Sequence, residues 1–213
     1  RTMRSILVVN PKGGCGKTTI ATNLATYYSV WGVSTALVDL DPQQSSMDWI
    51  KARPDSENPI QGFNGLTGKI YPADGTERVI YDCPARTDSA KVARLIKLVD
   101  AVIIPVMPSA IDMRVAAKFI ADIVGKVRAN NSHAILGVVA NRAQKNYHSY
   151  AALLDFLKAL EVPFVGTIRN SQNYVKAADT GVGIFEMPIA EVKQDMKEWE
   201  PIINWVEGKR VLK

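Results

Sequence analysis

The chain has 213 residues, enough for one well-packed α/β domain and too few for two full ones. No unbroken apolar run is long enough to span a membrane and the N-terminus does not read as a secretion signal, so a cytoplasmic protein is expected. The formal net charge of +5 is uneven: residues 1–85 hold eight basic and eight acidic side chains, residues 86–158 eleven and five, and residues 159–213 seven and eight. That surplus suits weak contact with nucleic acid and equally an ordinary solvated face. Arg1 and Thr2, ahead of Met3, are set aside as foreign to the fold, leaving a single domain over 1–213 with residues 54–78 irregular.

The chain opens on the apolar run Ile6-Leu7-Val8-Val9, which breaks into Asn10-Pro11-Lys12-Gly13-Gly14-Cys15-Gly16-Lys17-Thr18-Thr19 and then starts a helix. A triphosphate needs closely approaching backbone N–H groups, a neutralising ammonium and a hydroxyl for its magnesium. Gly13, Gly14 and Gly16 let the loop wrap with its amides inward. Lys17 supplies a point charge for the β- and γ-phosphates, Thr18 is placed to ligate Mg²⁺, and the following helix aims its positive end at the same anion. The common pattern G-x-x-x-x-G-K-[ST] would put glycine at position 11, where this chain has Pro11, and it adds a second cation, Lys12. The spelling Lys-Gly-Gly-x-Gly-Lys-Thr-Thr resembles the deviant Walker A box of the ParA/MinD family of ATPases. The resemblance implies that Lys12 reaches across a dimer interface to the partner's nucleotide, and that Lys12, Gly13, Gly14, Cys15, Gly16, Lys17, Thr18 and Thr19 together hold it.

Thr18 to Trp31 reads as a helix with Ile20, Leu24, Ala25 and Tyr28 at helical spacing and Gly32 as its stop. Val33 to Leu40 is a strand apolar on both faces, as in the middle of a parallel sheet. It ends in Asp39-Leu40-Asp41-Pro42-Gln43-Gln44. Strand alternation would point Asp39 and Asp41 the same way, toward the magnesium and γ-phosphate, at the sheet edge where ligands bind. The stretch resembles the Asp-x-Asp-Pro-Gln switch of the same family. By that match Asp41 positions or activates the attacking water and Asp39 supports the metal through its water shell.

Ser45 or Ser46 caps a short helix from Met47 to Arg53, closed by Pro54. Residues 54–77, rich in Gly, Pro, Asn and Asp, give no element, and the helix the family usually carries here is missing. Val79 to Ala85 holds a buried strand ending in Asp82, which fits a Walker B acid bonded to the magnesium's waters. Ala85 stands where the family usually writes proline. Two cysteines, Cys15 and Cys83, are too few for a disulfide framework or a zinc site.

Asp88 starts a helix to Val99 whose Lys91, Arg94 and Lys97 form a basic stripe: a solvated face, a contact for DNA phosphates, or one for an acidic partner. The strand Ala101–Val106, a helix from Asp112 to Arg128 and the strand Ala134–Ala140 follow. The resemblance implies that Asn141 bonds adenine, which selects ATP. Tyr150 to Leu160 is amphipathic, Pro163 to Ile168 is the last core strand, and a helix ends near Gly181. The tail from Glu191 to Gly208 reads as a helix packed on the domain, kinked or restarted at Pro201. Its interleaved acids make it a poor anchor for anionic lipid.

Strand alternating with helix six times predicts a doubly wound, mostly parallel sheet with helices on both faces, a P-loop NTPase. The resemblance is strongest to small ParA-type partition proteins without an N-terminal helix-turn-helix domain. It implies an ATP hydrolase using ATP and Mg²⁺, a homodimer with ATP, and non-specific DNA bound on the nucleoid. It also implies a ParB-like or adaptor protein that stimulates slow hydrolysis, and no membrane partner. Arg169 and Lys197 are candidate DNA contacts, with the surplus in 86–158 as a rival. A MinD-like membrane-cycling regulator and a metabolic enzyme on the same fold are the other readings.

Overall fold

The structure, a computed structural model, describes residues 3–14, 16–84, 86–143 and 150–209. In chain order the elements are β1 (Arg4–Val8), α1 (Lys17–Val30), β2 (Thr35–Asp39), α2 (Ser45–Ala52), β3 (Gln61–Asn64), β4 (Arg78–Asp82) and α3 (Ser89–Ile96). Then come β5 (Ala101–Val106), α4 (Ala110–Ala129), β6 (Ile135–Ala143), α5 (Ala151–Leu160), β7 (Phe164–Arg169), α6 (Gln172–Asp179), a 3-10 turn at Ile184–Glu186, and α7 (Ile189–Val206). The strands form one sheet in the order β3-β2-β4-β1-β5-β6-β7, and every neighbouring pair is parallel.

Parallel strands need crossovers, and the crossover helices cover both faces, so the central strands are apolar on both sides. Along β1 the side chains alternate between two cores. Ile6 and Val8 pack with Ile20 and Leu24 of α1 and with Trp199 and Ile202 of α7. Leu7 packs on the other face with Val92 of α3, Ile120 of α4 and Leu157 of α5. All of these are at most 1% exposed, and each such burial stabilises the fold by roughly 1.5–3 kcal/mol.

Three expectations change. Residues 54–77 do contain a strand: β3 pairs with β2 from Ala36↔Gln61 to Asp39↔Asn64, giving seven strands rather than six. Its four residues are all half-buried and do not alternate, so the free edge of β2, not side-chain pattern, makes them a strand. No helix lies between β3 and β4; instead Leu40, Phe63, Ile70 and Tyr81 cover Ala36, Val38 and Val79 in a small third core. Neither Ser45 nor Ser46 caps α2. The residue before it is Gln44, in a left-handed conformation at φ 55°, and Ser46 turns inward to Asp82. Lastly, α7 runs through Pro201 without a restart, although Pro201 cannot donate to the Lys197 carbonyl.

Candidate nucleotide site

The sheet order reverses around β1 and β4, so the crevice beyond their C-terminal ends is the expected ligand position in a doubly wound fold. The loop after β1 lies there. Asn10 shapes it: its Oδ1 accepts from Lys12 N at 2.9 Å, and its amide donates to Pro105 O of β5 at 2.6 Å. Gly14 and Gly16 have φ 76° and 89°, and a Cβ on Gly16 would stand 1.9 Å from Asn141 Nδ2, so only glycine fits. The Lys17 side chain curls back into the loop, its ammonium donating to Lys12 O at 3.1 Å, and the residue is 7% exposed. No side chain caps α1 and no acid stands in its first turn, which leaves its positive end to an anion.

On the other side of the loop, β2 and β4 bring two carboxylates side by side, since Asp39 and Asp82 are register partners, 0% and 1% exposed. Asp82 Oδ2 accepts from Thr18 Oγ1 at 2.8 Å and from Ser46 Oγ at 2.5 Å. Burial, only partly offset by those hydroxyls, and the nearby Asp39 push the Asp82 carboxyl up to about 6. Asp39 is also raised, mainly by burial. Two adjacent buried acids raised in this way make a site that a cation would relieve. Among the described residues no three His, Cys, Asp or Glu side chains converge on a point, so no all-protein metal cage exists. The residues fit Mg²⁺ of the kind that keeps waters and phosphate oxygens: the Thr18 hydroxyl would ligate it, and the Asp82 carboxylate would hold its waters.

β2 ends at Asp39, so strand alternation does not extend to Asp41. Both Asp39 oxygens are taken by backbone: Oδ1 accepts from Asp41 N at 2.9 Å and Oδ2 from Met47 N at 3.0 Å, so Asp39 braces the switch loop. Asp41 is half-buried, with Oδ1 accepting from Gln43 N. The Lys12 ammonium lies 3.0 Å from Asp112 Oδ1 within its own subunit.

Asn141, at the end of β6, is 2% exposed against Gly16 and borders a cavity of about 440 Å³ that also reaches Thr19, Arg142, Asn170 and Tyr174. Arg169 grips the buried Asp195 with two nitrogens, Nε at 2.8 Å and one terminal nitrogen at 3.0 Å. Lys197 is exposed beside an apolar cavity of about 430 Å³ between the end of α1 and α7. Arg169 lines the same cavity as Thr19 and Asn141, whereas Lys197 borders the other one. Cys15 and Ala85 fall outside the described residues. Sequence reasoning missed Asn10, Ser46 and Asp112. Of these only Asn10 carried a signal, an amide side chain two residues before a loop amide at a strand end.

A glycine loop between a buried strand and a helix, with a buried lysine, a hydroxyl and an acid on the next strand, defines a P-loop nucleotide-binding protein. Residues 6–184 match the family described as the CobQ/CobB/MinD/ParA nucleotide binding domain, and the chain belongs to that family. It is 29% identical over 191 residues, 86% of this chain and 87% of the relative, to the "Maintenance of carboxysome distribution protein A" of Halothiobacillus neapolitanus. It is 30% identical over 161 residues, 71% of each chain, to "Protein ParA" of Rhizobium radiobacter. In fold it is similar to a plasmid partition protein of Borrelia burgdorferi bound to AMPPNP, with TM-score 0.71 at 17% identity, covering 96% of this chain and 100% of the other. No described helix is long and apolar enough to cross a membrane.

Proposed function

We propose that the chain is an ATP-dependent dimerising switch of ParA type, which hydrolyses ATP slowly and positions DNA or another cargo through non-specific DNA contacts. The observation that carries the nucleotide part is the buried pair Asp39 and Asp82 beside the Thr18 hydroxyl and the Lys17 ammonium. Relatives named for partition and for carboxysome distribution support the cargo-positioning part.

Bound Mg²⁺ would supply charge neutralisation between the phosphates. The loop amides and Lys17 hold the β- and γ-phosphates in one orientation, and Asp82 and Ser46 fix Thr18 on the metal side. Asn141 and the cavity beside it receive the base. Asp41, on the turn after β2, orients the attacking water. Lys12 of each subunit reaches the nucleotide of the other, so closure and catalysis share one cation.

Dimerisation converts two weak DNA-binding faces into one strong one, because two copies of a patch on one rigid body bind with a high effective concentration. Lys91, Arg94 and Lys97 of α3 and its C-terminal end, and Arg114 and Lys118 of α4, which packs against it, are all exposed. This makes the 86–158 surplus a better DNA contact than Arg169, whose guanidinium is engaged by Asp195. A partner protein then stimulates hydrolysis and releases the complex from the nucleoid.

Size-exclusion chromatography with ADP, ATP or a non-hydrolysable analogue, each with and without duplex DNA, tests the reading. A dimer with the triphosphates only, retaining DNA at low salt and losing it steeply as salt rises, is the expected result. A monomer under all conditions overturns the switch. A triphosphate dimer that never retains DNA leaves the switch and removes the DNA.

A further inference from the structure

Lys12, the cation that would serve the partner's nucleotide, is already engaged in the single subunit. Its ammonium meets Asp112 Oδ1 at 3.0 Å. Asp112 sits in the first turn of α4 and is itself held: its N–H donates to Ser109 Oγ at 3.1 Å, and its Oδ2 accepts the Ser109 hydroxyl at 2.5 Å. Each carboxylate oxygen thus has its own partner, Ser109 on one and Lys12 on the other. Burial alone would raise the Asp112 pKa, yet Ser109 and Lys12 outweigh it and hold the carboxyl below its ordinary range. The Asp112 side chain is 15% exposed, against 40% for Lys12, so the acid is the fixed half and the lysine the half that can leave.

Both halves hang from one strand end. Asn10 fixes the Lys12 backbone and is anchored on Pro105 of β5, and the chain leaving β5 passes through Ser109 into the first turn of α4, which carries Asp112. The pair is therefore set by the fold and not by a chance encounter of two surface chains.

We propose that Asp112 is the resting counterion of Lys12, a latch that keeps the cross-subunit lysine in its own subunit until a partner's nucleotide displaces it. This rests on the reading that Lys12 acts across a dimer. Closure then exchanges one anionic partner of Lys12 for another. A triphosphate displaces a single carboxylate more readily than a diphosphate does, so the latch sharpens the discrimination between ATP and ADP. Each dimer must open two latches, and their effects multiply. A pair with one exposed member is weak, so releasing both should tighten the dimer by about two- to thirty-fold.

Asp112→Asn keeps the size of the side chain and an oxygen for Ser109 while removing the charge. Two measurements test it. Sedimentation with Mg²⁺ and a non-hydrolysable ATP analogue should give a dimer about two- to thirty-fold tighter than wild type, with the gap between analogue and ADP narrowed. Without nucleotide, the Lys12 amine should react faster with acetic anhydride in the variant, read by peptide mass spectrometry. An unchanged or weaker dimer, or unchanged Lys12 labelling, overturns the latch. So does equal tightening by Ser109→Ala, which loosens the start of α4 and leaves the charge in place. If the wild-type chain stays monomeric with the analogue, the dimer reading fails first and takes the latch with it, whereas a wild-type dimer that Asp112→Asn does not tighten removes the latch alone.

Discussion

Thr18 Oγ1 and Asp82 Oδ2 are joined by a 2.8 Å hydrogen bond that ties the start of α1 to the end of β4. The phosphate loop and the acid proposed to serve its cation are thereby joined before any ligand arrives, which lowers the ordering cost of binding. Replacing the acid keeps the shape and removes the charge. Asp82→Asn is expected to weaken Mg²⁺-dependent nucleotide binding by about 10- to 100-fold, the usual cost of losing a group that orients a metal's ligands. A magnesium titration with a fluorescent ATP analogue reads this, and an unchanged midpoint would take Asp82 out of the metal site.

The same substitution should stabilise the ligand-free protein. The folded Asp82 carboxyl is raised to about 6 from 3.8, chiefly by burial. A raised acid binds its proton more tightly in the folded state, so stability falls as pH rises from the unfolded value to the folded one. At neutral pH the metal-free wild type carries a penalty of order 2–3 kcal/mol, and the asparagine variant does not. Thermal midpoints in EDTA should favour Asp82→Asn at pH 7 and converge toward pH 4. Equal midpoints at both would contradict the raised value.

Asp41 is separate from this joined loop and acid, on the turn that Asp39 braces. Asp41→Ala should lower ATP turnover by roughly 100-fold or more, the scale of a lost general base, with nucleotide binding retained. The ATP-loaded dimer would then persist. Steady-state phosphate release near the wild-type rate would remove Asp41 from the chemistry.

Far from the site, Glu207 accepts from Arg78 at 3.0 and 2.8 Å and from the Tyr28 hydroxyl at 2.5 Å, locking the end of α7 to β4 and α1. Burial raises the Glu207 pKa, but Arg78 and Tyr28 more than offset it and hold the carboxyl below 4.5. A depressed acid stabilises the fold above its unfolded value, and that contribution is lost as pH falls through the folded value. Glu207→Gln should cost about 1.5–3 kcal/mol near neutrality, or roughly 3–12 °C in thermal midpoint. The difference should shrink below about pH 4; a constant difference would mean the loss is one of packing.

The phosphate loop was legible because its chemistry is local: glycines, a lysine and a hydroxyl must be consecutive for one backbone turn to wrap an anion. Asp82 was legible for a related reason, as an acid at the end of a run too apolar to lie anywhere but the sheet interior. What escaped depends on distant partners. Gln61–Asn64 is a strand only because β2 offers it an edge. Ser46 looked like a cap and is a hydrogen-bond donor to Asp82, a relation fixed by how α2 lies over the sheet. Alternation says nothing about how Asp41 stands to Asp39, because it lasts only as long as a strand's ladder and β2 stops at Asp39.

The central position of β1 has a consequence for how the chain is made. Its sheet neighbours, β4 and β5, begin only at Arg78 and Ala101, and Arg4 is finally clamped when its Nε donates to Val206 O at the end of α7. During synthesis the apolar Ile6–Val9 leaves the ribosome long before any strand can flank it, and topologies of such distant pairing fold slowly. The nascent chain therefore carries Ile6–Val9 unshielded until β4 and β5 have been made, and the glycine loop becomes competent for its ligand only after both strands have joined β1.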